Sequence, residues 1–202
     1  MRKKINIIVL VLVFVLLIGG ASVLYSQLSK NNTPDSLLVR EDQNKNDTEN
    51  QSDSSGKNEE QQPPKAPDFS VYDASGNEVN LSDYVSKPIV LNFWASWCGP
   101  CQSEMPDFHE KYLELGDEIH FLMVNMTGGR ETLSSAKSFI SEKGYTFPVL
   151  YDTDFDAATT YSVYSLPTTY FIDAEGNAIA QATGAIDADT LQRGIDMITQ
   201  ES

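Results

Sequence analysis

Cysteine, histidine and basic residues are scarce in this 202-residue chain: two Cys, two His, and 14 Lys plus Arg against 29 Asp plus Glu. Two cysteines cannot build a disulfide-dense secreted miniprotein or a four-cysteine zinc site. A structural metal would need two further ligands beside them, and His109 and His120 fall at a helix edge and in a strand pattern. A net charge of −15 leaves no electrostatic footprint for a phosphate backbone, which argues against nucleic-acid binding. The shortage of basic residues is uneven. Residues 1 to 29 carry three basic and no acidic residues, 30 to 65 carry five and eight, and 66 to 202 carry six and 21.

Charge is absent altogether from Ile5 to Ser29, and Ile7 to Ile18 is an unbroken apolar run. About 20 mainly apolar residues span a bilayer, and the preceding Arg2, Lys3 and Lys4 hold the N-terminus in the cytoplasm. The run predicts a single-pass anchor over 1–29 in the cell membrane, with the rest of the chain outside. A cleaved signal peptide is the competing reading, because Gly19 and Ala21 form a small-x-small site before Ser22. Residues 30–65 are rich in Asn, Asp, Ser, Gln and Glu and poor in large apolar side chains. Such a segment buries too little surface to offset its ordering entropy, so it reads as a disordered polar linker.

Residues 66–202 suffice for one core. Phe69–Tyr72 and Glu78–Asn80 flank a turn and read as a hairpin. Pro88–Trp94 and His120–Met126 are nearly continuous apolar runs, the pattern of central strands covered on both faces. Cys101, Met105, Phe108 and Tyr112 fall at helical spacing, a second helix is expected over Glu131–Lys143, and Asp187 or Asp189 can cap a closing helix that packs Leu191, Ile195 and Ile198. Pro148–Tyr151, Thr168–Asp173 and Ala178–Ala182 complete the strands. The expectation is an α/β fold: a central mixed sheet with helices on both faces, an N-terminal hairpin and a helix-containing central insert.

Both cysteines lie in Trp97-Cys98-Gly99-Pro100-Cys101, after a buried strand and at the start of a helix. A helix N-terminus stabilises a thiolate and lowers the thiol pKa from about 8.5. Cys98 is therefore the expected nucleophile, and Cys101, one turn inside on the apolar face, the resolving thiol. The redox-active group is then the Cys98–Cys101 pair itself, with no other cofactor and no metal. A purely structural disulfide closing so short a loop would restrict the unfolded chain little. A peroxidatic cysteine on a comparable scaffold has Pro and Thr or Ser seven and three residues upstream, where this chain has Leu91 and Ala95. Glu104 lies at the edge of the helix face that buries Cys101, where partial desolvation would raise its pKa toward a range useful for proton transfer. An ordinary exposed helix glutamate is the plain alternative.

The run Val90 to Cys101, with Pro106 in the same helix, Ser165-Leu-Pro-Thr-Thr-Tyr-Phe-Ile-Asp and Gly176, resembles the thioredoxin superfamily. The opening Ala66-Pro-Asp-Phe, the hairpin and the insert with Thr146-Phe-Pro-Val-Leu-Tyr-Asp narrow the resemblance to membrane-anchored thiol-disulfide oxidoreductases of the TlpA and ResA type. It implies a thioredoxin-like fold, a cis-proline at Pro167, and a groove where Leu166 and Pro167 face the cysteines and pair with an extended substrate. It also implies an active-site glutamate at Glu104. Asn92 stands where general thioredoxins have a buried Asp, which leaves Glu104 as the nearest candidate for proton exchange. Trp97, with Gly99 and Pro100, is expected to contact substrate, while Trp94 fills core.

The resulting expectation is an extracytoplasmic thiol-disulfide oxidoreductase acting on protein partners as a monomer. Reduction is the direction that the resemblance implies, with apocytochrome c heme-binding cysteines as substrate and a membrane thiol carrier as electron source. An oxidase for secreted proteins and a redox-inactive binding module are the alternatives.

Overall fold

The continuous apolar run around Ile89 becomes β4 (Ile89–Trp94), in which every residue is buried. A computed structural model describes Leu37–Val39 and residues 63–200. The expected anchor and most of the linker lie outside the described residues, and among the described residues no helix is long and apolar enough to cross a membrane.

Strand β4 pairs in parallel with β5 (His120–Asn125) and antiparallel with β7 (Thr168–Ile172). On one side β5 continues in parallel to β6 (Val149–Tyr151), which meets the hairpin of β2 (Ser70–Tyr72) and β3 (Glu78–Asn80). On the other side β7 pairs with β8 (Ala178–Thr183), which pairs with β1 (Leu37–Val39). The eight-stranded mixed sheet runs β1-β8-β7-β4-β5-β6-β2-β3.

Strand β1 is a departure, since it falls within the stretch read as a disordered linker. Composition averaged over 36 residues conceals a Leu-Leu-Val triplet whose strand propensity suits the edge that β8 presents. The linker reading also ends too late: Ala178 N–H donates to the Pro64 carbonyl at 2.8 Å and Lys65 bridges Asn177, so pairing begins before Ala66.

Side-chain alternation along β4 divides the core. Val90 and Trp94 face one layer, with α1 (Gly99–Leu115), α2 (Leu133–Lys143) and α4 (Ala188–Thr199) contributing Cys101, Met105, Phe108, Ala136, Leu191 and Ile195. Ile89, Leu91 and Phe93 face the other, against Phe69, Val71, the 3₁₀ turn Leu81–Tyr84 and α3 (Asp156–Thr160). Helix α2 starts two residues later than its expected Glu131: Thr132 is the N-cap, its hydroxyl accepting from Ser135 N–H at 3.0 Å. Helix α3, five residues long, is too short for periodicity to reveal.

Asp187 caps α4 by accepting from Thr190 N–H at 2.9 Å. Helix α4 reaches the sheet through Gly194, where an added Cβ would stand 2.2 Å from the Phe171 ring. Phe171 is fully buried and cannot move aside. Gly194→Ala should therefore destabilise the fold by roughly 1–3 kcal/mol through overpacking, despite the better helix propensity of alanine. Urea unfolding against the wild type measures this, and an unchanged or raised midpoint would contradict the tight helix–sheet contact.

Candidate active site

Strand β4 ends at Trp94, and a short turn closes when Cys98 N–H donates to the Ala95 carbonyl at 3.1 Å. Cys98 is the N-cap of α1, with extended backbone, and its Sγ accepts from Cys101 N–H at 3.2 Å. Gly99 and Pro100 form the first turn, where proline has no helical hydrogen bond to lose. Cys98 and Cys101 are joined as a disulfide. Cys98 retains 4% exposure beside a groove, whereas Cys101 has none. On reduction the Cys98 sulfur stands where helix N–H groups and dipole favour a thiolate.

Glu104 lies in the second turn of α1, on the side that also buries Cys101, Met105 and Phe108. Period-two alternation turns Asn92 to the same face of β4 as Val90 and Trp94, toward this helix. Asn92 Nδ2 donates to Glu104 Oε1 at 2.8 Å and to Thr169 Oγ1 at 3.0 Å, and Ile186 N–H donates to Glu104 Oε2 at 3.0 Å. The carboxyl joins β4, α1 and the loop before α4. It is 2% exposed, so it is no ordinary surface glutamate. Burial pushes its pKa up to about 7, with the nearby Asp107 adding to the rise and the two hydrogen bonds opposing it.

Beside the disulfide runs a groove of about 630 Å³, lined by Trp97, Cys98, Gly99, Pro100, Leu166 and, across from them, Met126, Phe155 and Tyr164. The Leu166–Pro167 peptide is cis. Leu166 lines the groove, while Pro167 is buried and its carbonyl accepts from Gly184 N–H at 2.9 Å. Trp97 is 45% exposed and carries the Arg130 guanidinium 4.5 Å above its ring; Tyr164 is 94% exposed. Trp94, by contrast, is fully buried core.

Several residues of the site had no signal in the sequence reading. Phe155 forms one wall because its backbone takes φ 59° and its ring lies against Gly128, where an added Cβ would approach it to 2.3 Å. Asp152 sets that wall's position by accepting from Ala158 N–H at 2.8 Å in the short helix behind it; burial raises its pKa. Glu131, expected in the helix α2, instead precedes it and accepts from Ser96 in the cysteine loop. Each of these depends on contacts between distant segments. His109 meets the hydroxyl of Thr146 at 3.1 Å and packs by Tyr145, away from the groove lining. Among the described residues no three His, Cys, Asp or Glu side chains gather as metal ligands.

Residues 64–181 match the model of the AhpC/TSA family. The chain belongs to that family. Among AhpC/TSA relatives, thiol-disulfide oxidoreductase ResA of Geobacillus kaustophilus is 38% identical over 134 residues, covering 66% of this chain and 75% of the relative. The exposed lipoprotein thioredoxin Etrx1 of Streptococcus pneumoniae has a solved structure with TM-score 0.57 and 33% identity over 64% of this chain and 98% of that one. A thioredoxin-family thiol:disulfide interchange protein of Chlorobium tepidum gives TM-score 0.61 and 25% identity over 69% and 98%. This AhpC/TSA member is thioredoxin-like in fold and a thiol-disulfide oxidoreductase.

The burial of Glu104 has a consequence for stability. A carboxyl whose folded pKa lies above its unfolded value holds its proton more tightly in the native state. Its contribution is full below pH 4.5, falls as pH rises toward about 7, and is lost above. A shift of this size corresponds to about 3 kcal/mol. Oxidised wild type should lose about that much between pH 4.5 and 8 relative to Glu104→Gln in urea unfolding. Parallel profiles would show that the Glu104 carboxyl titrates normally.

Proposed function

We propose that this oxidoreductase works outside the cell membrane as a reductant of protein disulfides. The observation that carries the chemistry is the buried carboxyl of Glu104, one turn beyond Cys101 on the helix that Cys98 caps. In the dithiol form Cys98 thiolate attacks a partner disulfide, forming a mixed disulfide and releasing one partner thiol. Cys101 then attacks Cys98 Sγ, with Glu104 accepting its proton, and the second partner thiol leaves. Two electrons pass to the partner and the Cys98–Cys101 disulfide remains. The proposal uses no other cofactor.

Trp97, Gly99, Pro100 and Leu166 hold the partner in the groove, with Pro167 fixing the strand behind Leu166. Extracytoplasmic placement is supported by the uncharged run Ile5–Ser29 after three basic residues, and by the description of the pneumococcal relative as exposed. The reducing direction, the heme-binding cysteines of apocytochrome c as substrate and a membrane thiol carrier that returns the pair to its dithiol form rest on the sequence resemblance to ResA-type proteins.

Cys101→Ala should accumulate mixed disulfides with partners and Cys98→Ala none; equal trapping by both would remove the assignment of roles. Mass spectrometry of the trapped species names the substrate. Glu104→Gln should slow exchange by about 10² to 10⁴ at matched redox state, while Glu110→Gln on the exposed side of the helix has no effect. Equilibrated against glutathione, the cysteine pair should show a potential nearer thioredoxin's, about −270 mV, than the roughly −120 mV of a strong oxidant, which would make it an oxidase. Full-length protein should resist carbonate extraction from membranes while external protease digests its domain; release of a chain starting near Ser22 would establish a cleaved signal.

A further inference from the structure

Glu131 is 2% exposed, and burying a carboxylate is costly unless hydrogen bonds replace its water. All the bonds it accepts come from neutral donors. Ser96 N–H donates to Oε2 and Ser96 Oγ to Oε1, the latter at 2.9 Å; Ser135 Oγ and Thr132 N–H, at 3.2 Å, also donate to Oε1. Helix α2 does not need this carboxylate to begin. Thr132 already caps it, and Thr132 with Ser135 forms a reciprocal capping box. What Glu131 adds is a link to Ser96, 35 residues earlier and two before Cys98.

The cysteine loop is held at that residue from two sides, by the segment before α2 and by α1. Ser96 N–H and hydroxyl go to Glu131, and the Ser96 carbonyl accepts from Gln102 Nε2, in the first turns of α1, at 2.5 Å. Next to Glu131, Arg130 covers the ring of Trp97, which follows Ser96. Two consecutive residues before α2 therefore grip two consecutive residues before the nucleophile.

We propose that Glu131 is a positioning residue for disulfide exchange. Through Ser96 it fixes the Ala95–Cys98 turn, so that Cys98 Sγ stays at the N-cap of α1 and in line with the Cys101 N–H. The inference rests on Cys98 being the attacking thiol. Charge and position act in opposite senses here. A buried negative charge near Cys98 opposes its thiolate, whereas holding the sulfur against helix N–H groups favours it. Replacing Glu131 therefore gives a result whose sign identifies its role.

The test is Glu131→Gln in the full-length chain, reduced, with the rate of Cys98 alkylation by iodoacetamide followed against pH, and with the rate of exchange with oxidised glutathione. If Glu131 positions the loop, the Cys98 pKa rises and both rates at pH 7 fall by roughly tenfold to a hundredfold, the scale of a small misplacement of a reacting group. A lower pKa with faster alkylation would mean that Glu131 acts only as a charge. Unchanged pKa and rates with a lower unfolding midpoint would mean that it only stabilises the fold. Either result overturns the proposal. Ser96→Ala, at a half-buried position, removes one Glu131 contact from the other side and keeps the test open if Glu131→Gln does not fold. It should also slow alkylation, and in the double variant the two effects should not add; a wild-type rate for Ser96→Ala, or full additivity, counts against the link. Cys98→Ala run alongside reads the nucleophile assignment separately. Retained alkylation there would overturn both readings, while failure confined to Glu131→Gln and Ser96→Ala overturns this one alone.

Discussion

Cys98 Sγ occupies the N-cap of α1, and that position exists because β4, buried on both faces, ends one short turn earlier. A strand in the middle of a sheet delivers its last residue to a fixed point, and a helix starting there aims unsatisfied N–H groups back at it. Cys98 Sγ accepts the Cys101 N–H that a capping serine or aspartate would otherwise take. The atom proposed to attack is thus also a structural one. Groups that hold the turn, among them the Ala95 carbonyl and Gln102, share in setting the reactivity of the sulfur.

How much of this could be read beforehand depends on the separation of the partners. The β4 strand, the cysteine helix and the buried side of Glu104 follow from local periodicity, because residues 90, 92 and 94 share one face of a strand and residues 101, 104, 105 and 108 share one side of a helix. That Asn92 and Glu104 meet required only those two faces to be packed together, and they do meet at 2.8 Å. Ile186 could not be foreseen as the second donor, since its contribution is a backbone N–H that carries no side-chain signature. Glu131 was hidden for a similar reason. Its charge suited the first turn of a helix, and its actual partner lies in a different loop. Strand β1 was missed because a three-residue pairing needs an edge to pair with, and composition says nothing about edges.

The groove shows the same division between local and distant causes. Trp97 to Pro100 come with the motif, while distant segments complete the lining with the left-handed Phe155 lying on Gly128 and with Leu166 before the cis peptide. Although the chain is strongly acidic, Arg130 is the one charged residue of the lining among the described residues, and its guanidinium lies over Trp97. Exposed ion pairs contribute only about 0–1 kcal/mol, so in the proposed exchange affinity for a partner would come mainly from covering Trp97, Tyr164 and Leu166 and from the mixed disulfide itself. A groove of this kind suits a catalyst that must release its partner after each exchange.

Two buried carboxyls flank the cysteines, and their surroundings separate their tasks. Glu104 accepts from one side-chain amide and one backbone N–H, too little to offset its burial, and its pKa rises to about 7. A group so placed exchanges its proton readily at neutral pH, as the proposed resolving step by Cys101 requires. Glu131 accepts from two hydroxyls and two backbone N–H groups, a set that ties it to Ser96 on one side and to the start of α2 on the other. The asymmetry follows from position. Glu104 faces the apolar side of α1, where among the described residues Asn92 and the Ile186 backbone donate to it, whereas Glu131 stands between a helix cap and a loop that offer donors. One fold can therefore bury two identical side chains in unlike surroundings, one on the helix that Cys98 caps and the other bonded to the loop that carries Cys98.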